Sequence, residues 1–324
     1  MNHAIREFDF RSIKYRVPFD GFYKFQMEDG MCSLYGKQEI GLLGATGGLG
    51  MRVARRLMAH GHMARLIIRQ PEKFPKTSHA VAMGNLDQPD TLISAMSGLS
   101  TLIVITADGP RQYEQGAAAI DAALACGVRR IILVSAMLAG EPAPRSFADR
   151  HARIEKKLAE TGLEYLIVRP SFFMQSFWKF TNFRRRTIQV PVPTGRVAFV
   201  DAEDVAEAVA ISADIERAIP SSGTHILTGS ESFSFSEVAQ LMTNSLGEKF
   251  KHVAPPLCAV KLVLPFVVGR ELSSMLTYLF DCIEAGHEAN PTGDLKRLLG
   301  REPGTFRQCI QREPGGFLGV MRNH

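Results

Sequence analysis

Seven consecutive residues, Gly44-Ala45-Thr46-Gly47-Gly48-Leu49-Gly50, carry the spacing GxxGxxG. An apolar run at 40–43 leads in, and a helix-period pattern at 53–60 leads out. A strand that turns through glycines into a helix makes a phosphate site. Gly44 permits the tight turn, Gly47 lets the backbone approach a pyrophosphate, and Gly50 lets the helix pack close on the strand. The helix then presents free N–H groups and its positive end to the anion. The loop, with Thr46, Gly48 and Leu49 among its residues, is assigned to a dinucleotide; a plain glycine turn is the competing reading.

Further chemistry-bearing residues fall where the following strands should end. Arg69 closes the second strand, where the adenosine ribose of a dinucleotide lies. No acid stands between residues 62 and 71 to bind both ribose hydroxyls. Arg69, with Lys73 behind it, suits a 2′-phosphate instead, so the sequence favours NADP(H) over NAD(H); an ordinary exposed arginine is the alternative. Asn85, followed by Leu86, stands where a polar side chain reaches the adenine edge, or simply makes a turn. Thr106 and Pro170, at the ends of the fourth and sixth strands, border the same crevice and join the cofactor set. Ser135, at the end of the fifth strand, either polarises a substrate carbonyl or caps the strand. His151 is a candidate proton donor, since imidazole titrates near neutrality; a surface histidine on a polar helix is its rival. Phe172, Phe173, Phe177 and Trp178 follow the sixth strand and line an apolar substrate pocket or form core.

These positions require a regular alternation of strand and helix. Apolar runs at 39–43, 63–69, 101–106, 130–135 and 165–169 alternate with helical patterns at 48–60, after Asp87, at 111–126 and at 146–161. Gly61, Gly127 and Gly162 close three of those helices. The pattern predicts an α/β fold, a doubly wound parallel sheet of Rossmann type, with a smaller, mostly helical C-terminal substrate region. Residues 1–37 read as an aromatic N-terminal extension, 38–170 as the nucleotide-binding core, and 171–324 as the substrate region. Strands at 197–200 and 224–228 are expected to return to the core sheet. Asp201 caps a helix at 203–213, and Ser234 with Glu237 makes a capping box.

Composition narrows the partners. The chain has 324 residues and a net charge of +5, with no basic block longer than Arg184-Arg185-Arg186, so no nucleic-acid partner is expected. Five scattered cysteines without CxxC argue against a disulfide framework and a metal site, and fit the cytoplasm. No secretory signal or membrane span is expected; the longest apolar stretch, 257–268, is broken by Lys261 and Pro265 and reads as a buried or lid-like helix. The aromatic arm at 1–37 packs on the body, on a second copy in a homodimer, or precedes a true start at Met27 or Met31.

Taken together, the glycine loop, Arg69-Gln70-Pro71-Glu72-Lys73, Gly84-Asn85-Leu86-Asp87, residues 122–128 with Ser135, Glu155, Gly162-Leu163, Arg169-Pro170, Asp201, Asp204-Val205-Ala206 and Gly223 with Leu227-Thr228-Gly229 resemble the atypical short-chain dehydrogenase/reductases, in their NmrA-like branch. The resemblance implies binding of NADP(H) or NAD(H), and either reduction of quinones, dyes or enones, or dinucleotide sensing without turnover through a regulatory protein partner. In the wider superfamily a Tyr-x-x-x-Lys pair moves the proton; counted back from Glu155, that pair falls on Phe147 and His151. The resemblance therefore places ordinary alcohol dehydrogenation and sugar epimerisation in doubt. It leaves reduction of a small apolar carbonyl, enone or quinone as the leading expectation.

Overall fold

The structure is a computed structural model that describes residues 40–74, 76–140, 143–214 and 222–313; the arm at 1–37, with Met27 and Met31, lies outside them. The nucleotide-binding half runs β1 (Ile40–Leu43), α1 (Gly48–Ala59), β2 (Ala64–Ile68), β3 (Ala80–Met83), α2 (Asp90–Met96), β4 (Thr101–Ile105), α3 (Gln112–Ala125), β5 (Arg130–Val134), α4 (Phe147–Ala159) and β6 (Glu164–Pro170). Strands β1, β4 and β5 are almost wholly apolar and buried, as a parallel strand covered on both faces must be. They assemble into a parallel sheet of order β10-β6-β5-β4-β1-β2-β3, with β10 (Ser222–Leu227) at one edge. The order reverses between β1 and β4, so the crevice opens beyond their carboxyl ends, where the glycine loop and Thr106 stand.

Helix α1 shows why the sheet holds its shape. Val53 and Leu57 point inward and are fully buried, each contributing about 1.5–3 kcal/mol by removal from water. Its other face carries Arg52, Arg55 and Arg56, which meet Glu203 of α6 (Ala202–Ser212) at 2.9–3.0 Å. These arginines are thus tied to a neighbouring helix.

The C-terminal half has its own core. The elements are α5 (Phe177–Phe180), β7 (Thr181–Asn182), β8 (Thr187–Gln189), β9 (Arg196–Val197), α6, β10, β11 (Phe233–Ser234), α7 (Phe235–Leu246), β12 (Lys251–Val253), α8 (Leu257–Val268), α9 (Arg270–Glu284), α10 (Asp294–Leu299) and α11 (Phe306–Arg312). Phe177, Phe199, Phe235 and Phe306 interlock with ring centroids 4.9–5.8 Å apart, mostly edge to face. The capping box of Ser234 and Glu237 forms as the sequence predicts, and Asp201 caps α6.

Two expectations are corrected. Residues 224–228 do return to the core sheet, through β10 beside β6, but 197–200 do not: β9 pairs antiparallel with β11 in a separate two-stranded sheet. β10 already occupies the edge beside β6, so no place remains there for a second returning strand. The stretch 257–268 is a helix, as expected; of its two readings, buried or lid-like, the buried one is corrected. Val260 and Leu264 turn inward, while Leu262 is 72% and Phe266 88% exposed. Among the described residues no helix is long and apolar enough to cross a membrane, and no cluster of ligands fit for a metal occurs.

Candidate active site

The glycine loop adopts the conformation its spacing requires. Gly44 has φ +81°, and a Cβ there would stand 2.2 Å from the Ile105 carbonyl oxygen on β4. A Cβ on Gly50 would stand 2.1 Å from the Gly44 carbonyl oxygen, so α1 begins in direct backbone contact with the loop. Gly47 donates its N–H to Gly44 O at 3.1 Å and becomes the N-cap of α1. Thr46, Gly47 and Gly48 are exposed, and Leu49 is half-buried against the first core.

The end of α1 is also chemically prepared. Ser146, Asp201, Ser234 and Thr305 cap α4, α6, α7 and α11 with a side-chain oxygen. Gly47 offers none, and the first turn of α1 holds no acid. The N–H groups at the start of α1 are left for an outside acceptor, at the positive end of a helix. A diphosphate fits that cradle in charge and in donors.

Arg69 follows β2 directly, is exposed, and makes no ion pair or hydrogen bond among the described residues. That sets it apart from Arg52, Arg55 and Arg56. Asn85 turns out to make a turn: its Oδ1 accepts the Asp87 N–H at 3.0 Å, leaving only its amide hydrogens for a ligand. Leu86 packs half-buried against the core, and Pro170 is the buried last residue of β6.

The positions expected to do acid–base work are more constrained. Ser135 lies just past β5, but its hydroxyl is buried and donates to Glu155 Oε1 at 2.5 Å. The same carboxylate receives Arg169 Nε at 3.0 Å and Nη2 at 2.5 Å. The proton that would polarise a carbonyl is therefore engaged by Glu155 in this structure, against the catalytic role expected of Ser135. With Glu155 on α4 and Arg169 on β6, it ties three elements together.

His151 is not on an exposed helix face. The buried face of α4 presents Phe147, His151 and Glu155 one turn apart. His151 Nε2 stands 2.9 Å from Gln112 Nε2 and 3.6 Å from Asp108 Oδ1. Gln112, fully buried at the start of α3, also donates to Thr106 Oγ1 at 3.1 Å. Two buried atoms of this cluster, His151 Nδ1 and Gln112 Oε1, have no hydrogen-bond partner among the described residues. Phe147 fills the tyrosine position and meets Tyr278 of α9 edge to face at 5.8 Å.

The aromatic run divides. Phe177 is fully buried among Phe199, Phe235 and Phe306 and is corrected from pocket to core. Phe172 packs on the same rings and is almost as closed. Phe173 remains half-buried against the nucleotide-binding core. Trp178 lies in α5, and its side chain is outside the described residues.

Residues 36–297 match the NmrA-like family. The chain belongs to that family. Similar curated proteins include an NAD(P)H azoreductase of Xenophilus azovorans, 24% identical over 85% of this chain and 98% of its own length. Agroclavine dehydrogenase of Claviceps fusiformis is 29% identical over 61% of this chain and 69% of its own. Among solved structures, an NADPH-dependent quinone oxidoreductase of Escherichia coli complexed with NADPH superposes with a TM-score of 0.76 at 23% identity, over 84% of this chain and 99% of that one. The likeness confirms the fold predicted from the alternation of strand and helix.

Glu155, Arg169, Gln112, Asp108 and Glu288 are the polar residues that sequence reading did not assign. Glu155 was within reach of it: a carboxylate eight residues after Phe147 falls on the same inward face, where a lone charge needs a partner.

Proposed function

We propose that the protein is an NADPH-preferring reductase of small apolar carbonyl, enone or quinone acceptors. The observation that carries this reading is the uncapped, acid-free start of α1 with Arg69, exposed and without an ion pair among the described residues, at the end of the neighbouring strand. A diphosphate at the first and a 2′-phosphate at the second account for both. Membership of the NmrA-like family, with similarity to proteins named NAD(P)H azoreductase and agroclavine dehydrogenase, supports the reductase activity.

Bound NADPH supplies a hydride. The chain's own residues orient and enclose: the glycine loop and α1 hold the diphosphate, and Thr106, Gln112 and His151 gather beyond β4. The Ser135–Glu155–Arg169 network fixes the ends of β5 and β6, and Phe173 presents an apolar edge.

The test is NADPH oxidation by the purified protein with a panel of quinones and enones, followed at the absorbance of reduced nicotinamide. Turnover with at least one acceptor, and a lower KM for NADPH than for NADH, is the expected result. Tight NADPH binding with no oxidation across the panel sinks the reductase reading and leaves a dinucleotide sensor acting through a protein partner.

A further inference from the structure

His79 stands in the loop that enters β3, and its ring is buried. Both ring nitrogens are engaged by backbone. Nδ1 accepts the Ala64 N–H at 3.0 Å, and Nε2 meets Ala54 O at 2.9 Å. A backbone N–H only donates and a carbonyl only accepts, so the ring is neutral and its proton sits on Nε2. Ala64 is the first residue of β2, and Ala54 lies in the middle of α1. One imidazole therefore fastens α1 to the entrance of β2. The ladder between β2 and β3 begins at Arg65 opposite Ala80, so the ring serves the Ala64 N–H just before that ladder starts.

Protonation is incompatible with this arrangement. An imidazolium carries hydrogen on both nitrogens, and the one on Nδ1 would face the Ala64 N–H, donor against donor. Desolvation also disfavours the charge and holds the His79 pKa below the ordinary histidine value. The charged groups on the elements around the ring are committed elsewhere among the described residues. On α1, Arg52, Arg55 and Arg56 turn to Glu203. His60 and His62, between α1 and β2, face Glu207 and Asp214. Arg65 of β2 reaches the carbonyls of Ala95 and Ser97. β3 carries no charge, and Lys73 and Lys76 in the loop before His79 are exposed.

The helix so fastened is the one whose first turn is left free for a diphosphate. Ala54 lies about 9 Å along its axis from Gly48, so a displacement at Ala54 is carried to the N–H groups of the first turn. We propose that His79 is a proton-operated clamp on the cofactor helix: neutral, it holds α1 against β2, and uptake of a proton opens that contact and loosens the helix that binds the diphosphate. The part that concerns the cofactor rests on the dinucleotide reading above. The clamp contributes in full above the ordinary histidine pKa of about 6.5. Its contribution is lost as pH falls below that value toward the lower native one, because the opened chain there binds a proton that the closed chain refuses. A dinucleotide that binds only the closed arrangement opposes the uptake.

His79→Gln and His79→Leu in the full chain test this. The glutamine amide offers an acceptor and a donor but does not titrate, and leucine removes both bonds. The readouts are urea unfolding of the cofactor-free protein at about pH 7.5 and about pH 5.5, hydrogen exchange at Ala64 and along α1 corrected for its intrinsic pH dependence, and the effect of saturating NADP⁺ on that exchange. On acidification the unfolding constant of the wild type is expected to rise about tenfold more than that of His79→Gln, the factor for one ordinary histidine that takes up its proton only when released. Exchange at Ala64 and in α1 of the wild type quickens by about the same factor, and NADP⁺ reverses the change. His79→Leu is less stable than wild type at both pH values, by a gap that narrows in acid. The proposal is overturned if wild type and His79→Gln share one pH dependence, or if the acid-induced exchange of α1 ignores bound NADP⁺. Should neither variant fold, wild-type exchange decides, and protection of α1 that is equal at the two pH values overturns the clamp. If NADP⁺ binds at neither pH, the dinucleotide reading fails by itself, and unfolding and exchange of the free protein decide for or against His79.

Discussion

Replacing Gly50 by alanine probes the contact on which the whole nucleotide site depends. The new Cβ would meet three backbone atoms: Gly44 O at 2.1 Å, Gly44 C at 2.8 Å and Ala45 Cα at 2.9 Å. None can rotate away. The loop cannot retreat either, because a Cβ on Gly44 itself would already lie 2.2 Å from Ile105 O of β4. The helix must therefore lift off the strand. Overpacking of this kind costs about 3 kcal/mol, and the better helix propensity of alanine returns about 1, leaving a net loss of about 2 kcal/mol. Lifting the helix also withdraws its N–H groups from the diphosphate. Two charge-assisted hydrogen bonds lost at about 1.5 kcal/mol each correspond to roughly a hundredfold weaker binding. Gly48→Ala is the control, since its Cβ would meet only Arg52 Nη1, at 3.9 Å, an ordinary van der Waals contact. Urea unfolding and NADPH titration by fluorescence measure both effects. A Gly50→Ala protein as stable as wild type and equally avid for NADPH refutes the close-contact argument, and so does a Gly48→Ala protein equally destabilised.

Arg69→Ala should weaken NADPH by about 2 kcal/mol, roughly 30-fold, and leave NADH nearly unchanged, because the guanidinium has no other partner to lose among the described residues; equal losses in titrations of the two cofactors would remove Arg69 from the site. Ser135→Ala should change the rate of NADPH oxidation by less than about threefold, whereas Glu155→Ala, which strands the Arg169 charge, should cost about 3–5 kcal/mol in urea unfolding. A hundredfold rate loss in the serine variant would restore it as a catalytic acid. Glu288 is buried, accepts hydrogen bonds from Ser171 Oγ and the Phe172 N–H at 2.9 Å each, and is pushed above the ordinary carboxyl range by desolvation. Between its unfolded and folded pKa the native state holds the extra proton, so stability falls as pH rises through that window. Glu288→Gln should therefore gain on wild type as the pH is taken from about 4 to about 8, and a pH-independent gap in melting temperature would count against a raised pKa.

The alternation of the core was legible because parallel strands buried on both faces are plain apolar runs between glycine punctuation. Ile40–Leu43 and Thr101–Ile105 are such runs, and their ends fell within a residue of those expected. β3 is harder to read: its apolar run is only the four residues Ala80–Met83, it pairs with β2 at the sheet edge, and three of the four are exposed. The misplacement of 197–200 has a related cause. Val197 to Val200 are all fully or almost fully buried, but apolarity reports burial and not which strand lies alongside. At the site, the close backbone approach of Gly44 and Gly50 and the exposed place of Arg69 after β2 were readable because they follow from backbone conformation and from position at a strand end. Ser135 was not, because the fate of its hydroxyl is set by a carboxylate twenty residues away in sequence that only the packing of α4 brings near.

That packing bears on where a proton comes from. The resemblance to the wider superfamily puts the acid–base pair at positions 147 and 151, on one inward line of α4 with Glu155. Phenylalanine at 147 has no proton to give and is occupied by ring contacts with His151 and Tyr278. His151 has turned its Nε2 to Gln112, and its ring is shut off from solvent. Glu155 has taken the Ser135 hydroxyl and both donors of Arg169. Each of the α4 positions nearest the expected nicotinamide is thus committed to holding β5, β6 and α3 in register. On the reductase reading, a chain with this α4 therefore works best with acceptors that need little help from the protein with the proton.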